Sequence, residues 1–318
     1  MIQWIKHIEV NIWNACNSKC TFCMSSHSNT AEKWDKNTII KTIIWKKGEY
    51  NSIWFIWWEP TVFPDLPEFI KLAKLLGYKY IQITTNWMRL SNKSYFENLV
   101  KNGLNTIKLS ISSIDDQIEA AITKVPKSYS LKKQAIENYN ELKKNYNLSL
   151  DTQTVISKYN YEYIFDIAKN FLDSGVNSIR MQFVWHYHSY PAQNLKDSFV
   201  NYDKTTPYLK KLTDYIEQNN LHKITIADFP ICYLIENWIV KNEKSHIIWE
   251  YHDFFDQVAD GRTKTEFSFQ QQKLDKLKYY PLKKCKNCPF KNFRPCPWFN
   301  VWYMENLKKF GINEVRDI

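Results

Sequence analysis

Six short apolar stretches alternate with helix-like stretches over the first two thirds of the chain, and this alternation restricts the possible folds more than any other feature. The strand-like segments are 8–13, 52–57, 79–85, 105–112, 149–156 and 178–184, each apolar and often β-branched. Helix-like segments fall at 31–46, 66–76, 92–102, 130–145 and 161–174. Asp65 stands as N-cap of the second of these helices, Gly77 stops it, and Gly175 follows the last. Strands and helices in strict alternation predict an α/β fold with a parallel sheet and crossovers of one hand, doubly wound or curled into a partial barrel. In either form the site is expected at the carboxyl ends of the strands. After about residue 200 the rhythm changes: a helix at 203–219 and a strand-like 223–228 lead into a Cys-, Pro- and aromatic-rich tail. The expected division is therefore a core at 1–215 and a small Cys-rich domain at 216–318.

The seven cysteines form two groups, Cys16, Cys20 and Cys23 near the start and Cys232, Cys285, Cys288 and Cys296 near the end. The N-terminal MIQWIKHIEVNIW lacks the charged start, apolar middle and cleavage site of a secretion signal. With no run of about 18 apolar residues either, a cytoplasmic protein without a membrane span is expected. Disulfides are disfavoured there, and close cysteine spacing points to metal. Three thiolates within eight residues, on a loop directly after the first strand, suit three irons of a [4Fe–4S] cube with the fourth iron left open. A structural zinc needs a fourth ligand, for which His27 is the nearest candidate.

The formal net charge of +10 permits an anionic partner such as a nucleic acid, an acidic peptide or a phosphorylated small molecule. The basic residues are dispersed as short pairs such as Lys143-Lys144, which reads as a solvated surface and gives nucleic acid little support.

The first group, with Phe22 before its last cysteine, resembles the C-x3-C-x-aromatic-C signature of the radical S-adenosylmethionine (SAM) superfamily. The resemblance implies a partial (β/α)6 barrel. It also implies that the open iron chelates SAM, and that one electron from a donor such as flavodoxin or ferredoxin cleaves SAM to a 5′-deoxyadenosyl radical. That radical abstracts hydrogen from a substrate, and the protein's part is to position and shield the chemistry. Further positions match by motif. Trp57-Trp58-Glu59-Pro60 stands at the family's Gly-Gly-Glu-Pro, which meets the methionine end of SAM; Thr85-Asn86-Trp87 stands at Thr-Asn-Gly; Trp13-Asn14 stands at Gly-Asn. Ser110 and Ser112, with Asp115 beyond them, lie where the family's fourth strand offers a Ser to SAM, and a buried strand hydroxyl satisfied by backbone is the alternative. The implied SAM-site residues are thus Phe22, Trp57, Trp58, Glu59, Pro60, Asn86, Ser110 and Ser112. Gln153, Arg180, Gln182, His186 and His188 are candidates to line the barrel, or are ordinary polar strand ends.

Glycine at such sites lets backbone approach a ligand without a Cβ or supplies positive φ, and Trp is the worst replacement on both counts. The chain has 6 Gly and 13 Trp, and the two counts together come close to the usual glycine content of about 7%. Decay of an enzyme does not place one residue at each glycine position while sparing Cys16, Cys20, Cys23, Glu59 and Pro60. The pattern fits a gene that reads UGA as glycine, written out with a table that assigns UGA to Trp. On this reading Trp13, Trp57, Trp58, Trp87 and Trp298 are glycine, Trp54 and Trp185 join them, and motif context leaves Trp34 and Trp249 open.

The second group supplies four thiolates, which on spacing alone saturate either a zinc or a second [4Fe–4S] cluster. Its context, DFPICYL and then CKNCPFKNFRPCPWFNVWY with Trp298 at a Gly position and Tyr303 at a Tyr position, resembles the auxiliary-cluster extension of SPASM and twitch radical SAM proteins. That resemblance implies one auxiliary cluster on Cys232, Cys285, Cys288 and Cys296. Relatives with this extension modify peptides or proteins, so a peptide is the leading substrate class. Small-molecule or cofactor biosynthesis, and RNA modification, are alternatives by the same chemistry. Taken literally, Trp57 and Trp58 describe instead an inactive zinc-binding module.

Overall fold

The computed structural model describes residues 7–12, 15–23, 35–56, 58–184, 196–221, 224–227 and 309, and the strand backbone alone at 247–250 and 258–260. Among the described residues, nine strands lie in one parallel sheet. They are β1 (His7–Asn11), β2 (Ser52–Ile56), β3 (Tyr80–Thr85), β4 (Thr106–Ser110), β5 (Ser149–Ile156), β6 (Ser178–Phe183), β7 (Ile224–Ala227), β8 (Ile247–Glu250) and β9 (Val258–Asp260). Strands β1 to β8 are neighbours in chain order, and β9 pairs with the outer edge of β1. The helices are α1 (Lys36–Lys46), α2 (Leu66–Leu75), α3 (Lys93–Asn102), α4 (Asp116–Thr123), α5 (Ser128–Leu142), α6 (Ile164–Asp173) and α7 (Tyr202–Gln218).

Strand alternation sorts the side chains into two layers. Ile8, Val10, Ile53, Phe55, Ile81, Ile83, Ile107, Leu109, Ile179 and Met181 are buried in one core with the apolar stripes of the helices, including Ile39, Phe69, Phe96, Ala135, Ile167 and Leu212. Leaving these exposed would forfeit about 1.5–3 kcal/mol for each large side chain, so the register of the strands that carry them is fixed by which face they occupy. The other face is polar: it carries His7, Glu9, Trp54, Lys108, Gln153, Arg180 and Gln182. His7 stacks on Trp54 with ring centroids 3.6 Å apart, the Lys108 ammonium lies 5.0 Å from the Trp54 ring, and Gln153 donates to Gln182 at 2.5 Å.

The sheet curls. Lys108 on β4 and Arg180 on β6 both pull down the pKa of Glu9 on β1. In a flat sheet β6 would lie about 24 Å from β1 at about 4.8 Å per strand, too far for such an influence. The polar face is therefore the inside of an open barrel, as the sequence led us to expect. β7 continues the same sheet past residue 215, reached through α7, which spans that position.

Local stop signals account for the helix ends. Gly103 ends α3 at φ +125°, and a Cβ there would stand 2.8 Å from Lys74 Cβ, so only glycine fits. Asp65 occupies the N-cap position of α2 without capping it; its carboxylate turns instead to Lys36 at 3.0 Å. Among the described residues no helix is long and apolar enough to cross a membrane.

Candidate active site at the carboxyl ends of the strands

The loop after β1 carries Cys16, Cys20 and Cys23, none of them in a disulfide and all partly buried. Its shape is set by backbone bonds. Cys23 N–H donates to the Cys20 carbonyl at 3.0 Å, closing a turn that contains Phe22, and Ser18 N–H donates to Cys16 Sγ at 3.4 Å. The amides on either side of Cys20 leave the loop: Lys19 N–H donates to the Thr123 carbonyl and Thr21 N–H to the Ile122 carbonyl, each at 2.9 Å. These are last-turn carbonyls of α4, which lack partners within their own helix. The cysteine loop thus caps α4, and α4 holds Cys20.

The segment after β2 adds the second wall. Glu59 is fully buried and opens a short 3-10 turn at Pro60–Val62. Its N–H donates to the Ala15 carbonyl at 3.1 Å, fastening it to the residue before Cys16. Its carboxylate is an acceptor hub: Thr61 N–H (3.1 Å), Thr61 Oγ1 (2.5 Å) and Thr85 Oγ1 (2.6 Å) donate to Oε1, and Asn86 N–H (2.6 Å) donates to Oε2. Burial pushes the Glu59 pKa up, and these donors oppose it. Asn86, after β3, turns its amide nitrogen to Asn17 Oδ1 at 2.7 Å, Ser18 Oγ at 3.3 Å and Cys16 Sγ at 3.8 Å. The ends of β1, β2 and β3 are thereby tied into one polar rim around the cysteine loop.

Burial makes two of the thiols weaker acids. Cys16 is pushed up to about 11 and Cys20 to about 12, chiefly by desolvation, with neighbouring cysteines adding to it. Thiols held in this state suit a cation that displaces their protons, since the thiolate is the metal ligand. Among the described residues no three ligands are gathered tightly around a single point. A cube spreads three thiolates over three irons, whereas zinc collects its ligands on one centre. By the chemistry of the donor set, three thiolates suit a cluster, and His27, the candidate fourth zinc ligand, lies outside the described residues.

Ser110 ends β4 half-buried, and Ser112 is buried beyond it. The backbone of both is engaged: the Ser110 carbonyl accepts from Lys132 Nζ at 2.8 Å and Ser112 N–H donates to Glu119 Oε2 at 2.9 Å. Asp115 serves as N-cap of α4, accepting from Gln117 N–H and Ile118 N–H at 2.9 Å each. Two residues at motif glycine positions have left-handed backbone, Trp58 at φ 45° and Trp87 at φ 66°. Trp87 is fully buried against Phe96 and Tyr139, and its indole N–H has no hydrogen-bond partner. Trp54 lies in mid-strand with no such φ.

The chain matches the family described as the Radical SAM superfamily over residues 10–181. It belongs to that superfamily. Membership makes it a radical SAM enzyme and implies SAM and a [4Fe–4S] cluster. Across 281 residues it is 26% identical to a probable GTP 3′,8-cyclase of Sulfurisphaera tokodaii, covering 85% of this chain and 84% of that protein. A 7,8-dihydro-6-hydroxymethylpterin dimethyltransferase of Methanocaldococcus jannaschii is 28% identical over 134 residues, 41% of this chain but only 26% of that longer protein. Among solved structures, native anSMEcpe with bound AdoMet and Kp18Cys peptide matches with a TM-score of 0.62 at 15% identity, covering 96% of this chain and 95% of that one. Streptococcus suis SuiB bound to precursor peptide SuiA matches with a TM-score of 0.56 at 20% identity, covering 69% and 48%. At these identities the two structures share the fold.

Sequence reasoning missed Glu119, Lys132 and helix α4, which the chain's short DQIEAAIT segment forms between two better-marked elements. The signal was present: Asp115 followed by acidic residues and an apolar pair at helical spacing is a helix start. Cys232, Cys285, Cys288 and Cys296, with Trp13, Trp57, Trp185, Trp298, Tyr303, His186 and His188, lie outside the described residues.

Proposed function

We propose that Cys16, Cys20 and Cys23 hold the SAM-cleaving cluster and that the rim beside them, Phe22, positions 57 to 60, Asn86, Ser110 and Ser112, forms the SAM site. The observation that carries this is the convergence of the cysteine loop, the Glu59 hub and Asn86 at one end of the barrel. When bound, the cluster and SAM supply a 5′-deoxyadenosyl radical for hydrogen abstraction. Glu59 would keep the backbone at 58–59 in place, Asn86 would brace the loop through Cys16, and the curled sheet would shield the reaction from water. A reductant such as flavodoxin or ferredoxin would deliver the electron.

The same reading assigns an auxiliary cluster to Cys232, Cys285, Cys288 and Cys296 in a SPASM/twitch-like domain at 216–318 beside the core at 1–215. It assigns glycine, encoded by UGA, to positions 57, 58 and 87. Left-handed backbone at Trp58 and Trp87 supports the last point, because that region costs a residue with a Cβ roughly 1–2 kcal/mol and glycine nothing. A peptide is the substrate class we favour, supported by the peptides named in the anSMEcpe and SuiB structures. A compact anionic substrate is the second reading, favoured by Lys108 and Arg180 inside the barrel and by the name of the Sulfurisphaera tokodaii relative.

The test uses the full chain with glycine at 57, 58 and 87, purified and reconstituted anaerobically. About eight irons per chain and formation of 5′-deoxyadenosine from SAM under reduction are expected. Zinc without iron would overturn the assignment. Release stimulated by peptides encoded beside the gene favours the first substrate class, and release stimulated by nucleotides the second. UGG codons at 57, 58 and 87, or tryptophan there in the mass spectrum of the native protein, would sink the glycine reading.

A further inference from the structure

Beside the cysteine loop lies an ion pair that no apolar core requires. Glu119 of α4 is 0% exposed and Lys132 of α5 is 2% exposed, and the two are hydrogen-bonded to each other. Burying two charges costs several kcal/mol per ion, and well-packed apolar residues of similar size would often be as stable. The pair spends its remaining valences on one stretch of backbone. Lys132 Nζ donates to the Ser110 carbonyl at 2.8 Å, and Glu119 Oε2 accepts from Ser112 N–H at 2.9 Å and Ser113 N–H at 2.6 Å. One turn further along α4, the Ile122 and Thr123 carbonyls receive the amides that flank Cys20. A continuous run of bonds therefore joins the exit of β4, the ion pair, α4 and Cys20.

We propose that Glu119 and Lys132 are positioning residues for the Cys20 leg of the cluster, a matched charge pair whose two members act on the cluster with opposite sign. The proposal rests on the reading that Cys16, Cys20 and Cys23 ligate iron. Glu119 stands one turn before the two α4 carbonyls that hold the amides flanking Cys20, and Lys132 is bonded to it, so both charges lie close to that leg of the loop. Reduction adds one negative charge to the cluster, so a lone cation beside it eases reduction and a lone anion hinders it. In the intact pair the two influences offset one another. Removing Lys132 leaves the Ser112 and Ser113 amides as the donors that hold the Glu119 carboxylate in place.

The experiment is redox titration of the reconstituted full-length chain without SAM, followed by the EPR signal that is absent from C16A/C20A/C23A. Relative to the parent, K132M is expected to lower the ratio of reduced to oxidised cluster at fixed potential about tenfold, a fall of 59 mV for one electron. E119Q is expected to raise it by a similar factor, K132R to leave it unchanged, and E119Q/K132M to return within about threefold of the parent. Shifts of the same sign in both single variants, or none, would overturn the proposal, since loosening alone has no reason to depend on the sign of the charge removed. If K132M fails to fold by circular dichroism, E119Q and K132R still decide: an unshifted E119Q is fatal. A parent that takes up no cluster on these cysteines refutes the underlying assignment instead, so the two failures are distinguishable.

Discussion

The carboxylate of Glu59 holds the backbone amide of Asn86 at 2.6 Å, and the Asn86 side chain reaches to 3.8 Å from Cys16 Sγ. One buried acid on β2's exit therefore sets the position of a residue on β3's exit, which in turn braces the first cysteine on β1's exit. Glu59→Ala deletes the acceptor for four donors and is expected to cost at least about 3 kcal/mol in urea unfolding. Glu59→Gln keeps the shape but replaces one acceptor oxygen with a donor, and is expected to cost roughly 1–3 kcal/mol. Because the damage is centred on Asn86, both variants should lose cluster retention on gel filtration before they lose helical signal. Equal stability of parent and Glu59→Gln would show that the four donors do not depend on the second carboxylate oxygen.

Positions 58 and 87 allow the backbone requirement to be separated from the loss of an indole. Glycine and alanine both delete the ring, but only alanine keeps the Cβ that left-handed backbone penalises. W58G is expected to be about 1 kcal/mol more stable than W58A, and W87G about 1 kcal/mol more stable than W87A, by thermal or urea unfolding. Alanine variants as stable as the glycine variants would mean that neither site needs φ near +45° to +66° in solution.

The barrel was legible in the sequence because its signal is repeated: six apolar stretches separated by helices leave few topologies, and β5 falls on the expected 149–156. The cysteine loop was legible because spacing and place, directly after β1, both speak to its chemistry. Glu59 was legible only through its motif; nothing in local periodicity marks a fully buried acid with four donors, since those donors come from residues 61, 85 and 86. The Glu119–Lys132 pair was illegible for a related reason. Each residue reads as a solvated helix position, and their 13-residue separation spans two helices whose packing the sequence does not state. Asp65 shows the reverse case, a well-placed cap residue whose carboxylate is drawn to Lys36 by a tertiary contact.

Asp115 is the N-cap through which local helix chemistry reaches the site. Asp115→Ala removes the acceptor for the Gln117 and Ile118 amides and is expected to cost about 1 kcal/mol. The cost should be concentrated in α4, whose last carbonyls receive Lys19 N–H and Thr21 N–H. Hydrogen exchange at those two amides is therefore expected to accelerate in Asp115→Ala while amides of α6 stay unchanged. Acceleration spread evenly over both helices would show that α4 does not anchor the loop.

Glu9 gives the barrel interior a pH dependence opposite to that of a surface carboxylate. Burial raises its pKa to about 7, with Lys108 and Arg180 only partly opposing the effect. Between the unfolded value near 4.5 and about 7 the folded protein holds a proton that the unfolded chain has lost, so this residue's contribution to stability falls as pH rises. At about 1.4 kcal/mol per pKa unit the full loss is at most roughly 3.5 kcal/mol, complete above about pH 7. Urea midpoints at pH 5 and pH 8 should therefore show the parent losing more stability than E9Q, which carries no proton to lose. E9Q keeps the neighbouring His7, 3.9 Å from the Glu9 carboxylate, so any slope that survives the substitution belongs to other groups. Parallel slopes for the two proteins would mean that Glu9 is ionised in the folded barrel at pH 5, held so by Lys108 and Arg180. A site so arranged would present both cations already committed to Glu9, which would weaken the case for a compact anionic substrate there.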